Sequence, residues 1–180
     1  MTLFLPTQYR DSTGISTSAR FGLMGCKVSV DKQLDEIFRK ATEIIRQEVV
    51  RALAFLCEEC VSRVRDRSEI DSWYDHTGNL RSSVGYAIYE HGELTLASAF
   101  ESVKGGTEGS AQGQRLVREL AKEYTKAYSA VIMAAMTYAE YVEACKNKDV
   151  LASTEIWAKS KVDDYIRKAL DKAVKKINAL

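Results

Sequence analysis

From Trp73 to Tyr89 the chain reads WYDHTGNLRSSVGYAIY, and this stretch decides the fold class. Asp75, His76, Thr77, Gly78 and Asn79 form a polar turn, with glycine for positive φ and Asn or Thr to cap the backbone. Val84, Tyr86 and Ile88 then alternate with Gly85, Ala87 and Tyr89, the period of a strand with two unlike faces. A helical pattern leads into this strand and a hairpin pattern leaves it.

Upstream, Leu34, Ile37, Phe38, Ala41, Ile44, Ile45, Ala52, Leu53 and Leu56 follow a three-and-four spacing that puts them on one helix face. Asp31 is placed to cap its start, and the period runs on through Cys60, Val61 and Val64. Unbroken to Arg67, the helix is on the order of 50 Å long, so it is expected to break near Glu58 or to reach beyond the core. Arg63, Arg65 and Arg67, alternating with Asp66 and Glu69, read as a solvated face. Residues 1–28 read as an extended N-terminal arm. Pro6 is the only proline, Asp11 to Arg20 is polar without period, and Phe21 to Val30 has strand character. Such an arm is either a free tail or a segment that orders against a neighbouring subunit.

Downstream, His91-Gly92 is a two-residue hairpin joining Glu90 to a second strand, Glu93 to Phe100. The face carrying Val84, Tyr86, Ile88, Leu94, Leu96 and Phe100 is expected to rest on the long helix. Lys104 to Gly113 (KGGTEGSAQG) reads as a flexible glycine-rich loop and lacks the lysine-serine ending of a phosphate cradle. Leu116, Leu120, Tyr124 and Tyr128 then predict a helix of about four turns from Gln114. Ser129 to Met136 predicts a third, buried strand, and Tyr138 to Glu143 a helical turn. Ser153 or Thr154 caps a last helix whose apolar stripe is Val162, Tyr165, Ile166, Ala169, Leu170, Ala173, Val174 and Ile177. The expected fold is α+β. A small, mainly antiparallel sheet packs against long N-terminal and C-terminal helices in one domain over residues 29–180.

A chain of 180 residues, 46% of them hydrophobic, is long enough to bury a core of its own. With 26 basic and 25 acidic residues the formal net charge is +1, which does not suggest a general nucleic-acid or membrane binder. Leu3, Phe4 and Leu5 are too short a run for a secretion signal, and Ala130 to Met136 is far short of a membrane span. The expectation is a soluble protein made in a cytoplasm, its cysteines (Cys26, Cys57, Cys60, Cys145) reduced. Cys57-x-x-Cys60 falls in mid-helix, away from the helix N-terminus that a redox thiolate uses. No ligand spacing marks a metal site, and no cofactor motif is present. His76 and His91 sit in turns, and neither Ser82 nor Ser83 lies in a nucleophile elbow. Glu140 and Glu143 lie on one face of the Tyr138–Glu143 turn. They are either an acid-base pair or, as preferred here, the partner of a lock in which one carboxylate takes a bidentate bond from Arg81.

The turn and strand containing Trp73, Thr77, Gly78, Leu80 and Arg81, the segment MTYAEYVE with Tyr138, Tyr141 and Glu143, and DVLASTE (Asp149 to Glu155) occur in that order. Together they resemble the head-tail connector and tail-completion (neck) proteins of long-tailed bacteriophages, which pair a TGxLRxS turn and strand with a later YAxYVE segment and a closing helix. The resemblance covers the core of roughly the last two thirds of the chain. It implies a structural virion protein without turnover, assembled in the bacterial host cytoplasm. Six or twelve copies would form a ring that joins the head or portal to the tail. Genomic DNA would pass through the channel without sequence-specific binding, and the partners would be other neck, portal or tail proteins and no membrane. A ring needs two unlike complementary patches per subunit, and the candidates are the arm, the first helix, the hairpin tip at His91 and Gly92, and the loop at Gly105 and Gly106. The arm and the helix before YAEYVE depart from a minimal family member. The alternatives are a protein-binding adaptor module and a small hydrolase-like enzyme using Glu140, Glu143 or His76.

Overall fold

The structure, a computed structural model, describes residues 27–68, 73–144 and 148–180. The chain divides into two units, Met1–Glu36 and Ile37–Leu180. The expected arm at 1–28 lies outside the described residues except for its last two, which already belong to the first helix; Cys26 and Cys145 also lie outside them.

Helix α1 runs Lys27–Arg65 without a break, 39 residues and about 58 Å at 1.5 Å per residue. It therefore starts before Asp31, so that residue is within the helix and not its cap. A short helix α2 (Asn79–Ser83) leads into strand β1 (Val84–Glu90), followed by β2 (Glu93–Ala97), α3 (Thr107–Leu120), β3 (Ser129–Ala134), α4 (Ala139–Ala144) and α5 (Ala152–Ile177). The three strands form one antiparallel sheet in the order β2-β1-β3. The α+β class and the long terminal helices are as the sequence predicts.

The alternation in β1 sorts two cores. Val84, Tyr86 and Ile88 join Val49, Leu53, Cys57, Val61 and Val64 of α1 on one face. Ala87 and Tyr89 face Phe100, Val117 of α3 and Met133 of β3 on the other. The central strand is thus buried on both sides. A buried side chain of this size is worth about 1.5–3 kcal/mol, so β1 contributes to both cores. α1 runs antiparallel to β1: Arg65 donates to the Val84 carbonyl at 2.7 Å, the Tyr86 hydroxyl donates to Glu58 at 2.8 Å, and Arg46 pairs with Glu90 at 2.7 Å.

α5 lies antiparallel along α1. Lys176 meets the buried Glu48 at 2.7 Å, the Tyr165 hydroxyl donates to Glu59 at 2.7 Å, and Arg63 stacks on Trp157 at 4.3 Å. The Lys176 bond holds the Glu48 carboxyl below its usual range, against the opposing effect of burial and with help from Arg51. Ala169 and Ala173 are the buried points of the α5 stripe, whereas Leu170 and Val174 are exposed.

Two expectations need correction. The pairing register shifts between Ile88 and Tyr89, so Leu96 pairs with Ile88 but Leu94 with Tyr89. Ile88 and Tyr89 point to opposite faces, and this bulge therefore separates the two leucines that simple alternation puts together. Both are exposed, and Phe100 sits in the α3-side core, not against α1.

The glycine-rich stretch is also no loop beyond Gly106, because α3 begins at Thr107, seven residues before the expected start. Its glycines are contact points. A Cβ at Gly109 would lie 2.7 Å from the Asn79 carbonyl carbon, and one at Gly106 would lie 2.6 Å from Ser82 Oγ. The Phe100 ring packs against both Gly113 and Gly85: a Cβ at Gly113 would be 2.9 Å from its Cγ, and one at Gly85 2.6 Å from its Cζ. Three glycines at i, i+3 and i+7 let α3 approach α2 and the Phe100 ring more closely than any side chain would allow.

Candidate functional site

The three segments that carry the resemblance meet at the C-terminal end of α1. A helix end leaves carbonyls without intrahelical partners and carries partial negative charge, which attracts guanidinium groups. Arg81, 7% exposed, supplies one: it donates to the Arg65 carbonyl and, at 3.1 Å, to the Arg67 carbonyl, with its guanidinium 5.1 Å from the Trp73 ring. Its backbone is held in turn by Asp75, whose carboxylate accepts from the Gly78 amide at 3.0 Å and the Arg81 amide at 3.1 Å. Gly78, with φ +74°, makes this turn possible, and Val103 leaves no room for a side chain there.

The expected lock between Arg81 and Glu140 or Glu143 is therefore not the one formed. Glu143 Oε1 accepts instead from the amides of Leu151 (3.0 Å) and Ala152 (2.7 Å), donors at the start of α5 that have no acceptor within the helix. Asp149 accepts from the Ser153 amide at 3.1 Å. Ser153 and Thr154, expected to cap this helix, give their hydroxyl oxygens to Arg67 at 3.0 and 2.9 Å. Arg67 also donates to the Asp149 carbonyl at 2.6 Å and pairs with its carboxylate at 2.9 Å. Burial alone would raise the Asp149 carboxyl, but the bonds from Ser153 and the Arg67 charge outweigh it and hold it below its usual range.

Arg65 and Arg67 are thus part of the interior framework and not a solvated face. Burial lowers the Arg65 guanidinium from its ordinary value, and its Nε is buried with no hydrogen-bond partner among the described residues. One signal was available: the arginine run straddles the end of a helix, where its members cease to share one face. At this junction Trp73, Gly78, Leu80 and Arg81 are buried, Glu143 is half-buried, and Thr77, Tyr138 and Tyr141 are exposed. Burial raises the Tyr138 hydroxyl, with Asp75 and Glu108 adding to the effect.

Of the expected subunit contacts, His91 and Gly105 are exposed and Gly92 is half-buried. The His91 amide donates to the Lys126 carbonyl at 2.9 Å, so the hairpin tip is tied to the segment after α3. Gly106 is buried against the Gly78 carbonyl and presents no surface. The Ser82 hydroxyl accepts from the Val103 amide at 2.7 Å, Ser83 donates to the Leu80 carbonyl at 2.8 Å, and the His76 ring lies edge-on to Tyr74 at 4.3 Å. Burial pushes the Cys57 thiol up to about 12 and the Cys60 thiol up to about 11, which fits small core side chains. Among the described residues no group of His, Cys, Asp and Glu is placed to hold a metal ion, and no helix is long and apolar enough to cross a membrane.

The described surface also offers clefts, one of about 320 Å³ lined by Glu58, Ser62, Arg65, Asp66, Ser98 and Glu101. A cleft of about 780 Å³ opens between residues 39–44 of α1 and Leu180, and one of about 320 Å³ lies between β3 and the start of α5. Comparison with protein-family models, with curated proteins and with solved structures finds no match.

Proposed function

We infer that the protein is a structural component of a phage neck or tail top, a subunit of a ring that joins head or portal to tail around the path of the DNA. The observation that carries this reading is the convergence at the end of α1. WYDHTGNLRSS (residues 73–83) lies far in sequence from the neighbouring segments YAEYVE (138–143) and DVLASTE (149–155), yet it meets them through Arg81, Arg67, Asp149 and Glu143. Segments recognised as an ordered set are expected to build one structural unit if they descend together, and scattered placement would have removed the support. The α+β architecture has the elements that the resemblance implies: a turn and strand, a later short helix and a closing helix.

In this reading the protein acts by holding partners, and DNA passes the ring without sequence-specific contacts. The test is particle mass by native mass spectrometry with electron microscopy of the same sample. Closed rings of six or twelve copies are expected. A chain that stays monomeric or dimeric at every concentration, and on purified phage heads and tails, would overturn the reading and favour the adaptor module.

A further inference from the structure

We propose that the segment Ile37–Ile45 of α1 pairs with the same segment of a second copy, antiparallel about a two-fold axis. The segment reads IFRKATEII. With Phe38 as heptad position a, the seam positions are Ile37, Phe38, Ala41, Thr42, Ile44 and Ile45, none of them charged. The remaining positions, Arg39, Lys40 and Glu43, are all charged and line the cleft toward Leu180. This is the division of a helix that pairs with another helix. Yet Phe38 is 61% exposed, Ile37 51% and Ile45 39%. One exposed leucine on a surface needs no explanation, but three large apolar side chains on one uncharged stripe do. The stripe continues the seam by which α1 meets α5, which bonds to α1 at Glu48 and ends at Ile177.

The occupant follows from the sizes along the stripe. In an antiparallel pair position a of one helix faces position d of the other, so Phe38 meets Ala41 of the second copy, twice about the axis, and Ile37 flanks Ile44. The largest side chain thus falls on the smallest. A parallel pair would instead set Phe38 on Phe38 and Ala41 on Ala41, crowding one layer and emptying the next. The stripe is its own complement only in the antiparallel sense. Nine residues span about 14 Å, a smaller contact than the roughly 800 Å² per partner of a standard interface. The pairing is therefore weak in isolation and strengthened when other contacts gather copies. It is independent of the ring reading, because a two-fold contact closes on itself and needs no ring.

The experiment puts benzoylphenylalanine at position 38 of the full chain and irradiates it at millimolar concentration. An intermolecular adduct within a turn of Ala41 is expected. An adduct at position 38 of the second copy, or no intermolecular adduct, overturns the proposal. In parallel, light scattering compares Phe38→Ala, Ala41→Phe and the two combined. At millimolar concentration each single change is expected to lower the mean particle mass, and the combined swap, which restores a large residue facing a small one, to recover it. Because Phe38 is exposed, Phe38→Ala leaves the fold intact, and circular dichroism checks this. Rings whose mass is untouched by Phe38→Ala would sink the pairing and leave the ring reading standing. The swap pattern without any ring would do the reverse.

Discussion

Replacing Gly113 by alanine sets two effects of opposite sign against each other. In an exposed helix, alanine gains about 0.8–1 kcal/mol over glycine, so an α3 loosely attached to the molecule would be stabilised. In this structure a Cβ at Gly113 would come within 2.9 Å of the Phe100 ring, and other ring atoms are closer still, whereas real Cβ contacts essentially never fall under 3.0 Å. The ring has little room to retreat, because Gly85 also packs closely against it and Phe100 is 2% exposed. Overpacking of a filled core costs typically 1–3 kcal/mol, and a buried ring packed closely against two glycines puts this site at the upper end. The net expectation is a loss of about 2 kcal/mol, a fall in midpoint of roughly 4–8 °C for a chain of this size. Urea unfolding measures it, with Phe100→Leu as the second arm of a double-mutant cycle. The smaller side chain should recover a good part of the loss in the Gly113→Ala background, a coupling of at least about 0.5 kcal/mol. Gly105→Ala is the control: φ is +82° with nothing within 4 Å, so its cost of about 1 kcal/mol is conformational and independent of Phe100. A stabilised Gly113→Ala variant, or one with no coupling to Phe100, would refute the packed glycine face.

Arg81→Lys keeps the charge but loses the planar fork that reaches two carbonyls and stacks on Trp73; a loss of about 1–2 kcal/mol in urea unfolding is expected. Glu143→Ala removes the acceptor of two amides at the start of α5 and should cost about 1 kcal/mol, with faster hydrogen exchange at residues 151 and 152 while α1 is unchanged. The Cys57 and Cys60 thiols, buried and pushed up to about 12 and 11, should not react with a thiol reagent at mildly alkaline pH until urea unfolds the chain; prompt reaction of both would contradict their burial. Glu48 and Asp149 are both held below their ordinary values in the fold. Their contribution is therefore present above the unfolded carboxylate range near pH 4 and lost as pH falls through the lower folded values. Stability measured from pH 6 to pH 3 should drop at the acid end, and Glu48→Gln should flatten that drop.

The parts of the fold legible in the sequence are those set by local chemistry. Alternation over Val84 to Tyr89 shows directly as two cores, and His91-Gly92 forms the hairpin with φ of 53° and 88°, both positive as a tight two-residue turn requires. The misread parts depend on distant contacts. Gly106, Gly109 and Gly113 lower intrinsic helix propensity and so look like a loop, but the contacts with α2 and Phe100 need the absence of a Cβ, and tertiary packing outweighs propensity. The shift that separates Leu94 from Leu96 is a property of two paired strands and cannot be seen in one. At the junction the sequence pointed to the right segments and the wrong bond. Arg81, Glu143 and Arg67 were all visible, but which guanidinium meets which carboxylate depends on where α1 ends.

That distinction bears on where function resides. The residues that make the resemblance recognisable are largely consumed in the interior: Trp73, Gly78, Leu80 and Arg81 are buried, and Glu143 spends its carboxylate on the start of α5. Groups already satisfied by their own chain cannot also grip a partner without giving up bonds worth about 1 kcal/mol or more each. The signature is thus one of folding, and partner contacts must be drawn from what it leaves outside. Ile156, 72% exposed, is such a side chain. The uncharged stripe of α1 is another. Changes at the buried signature should therefore alter stability first and assembly only through it, whereas a change at Phe38 should alter assembly at unchanged stability.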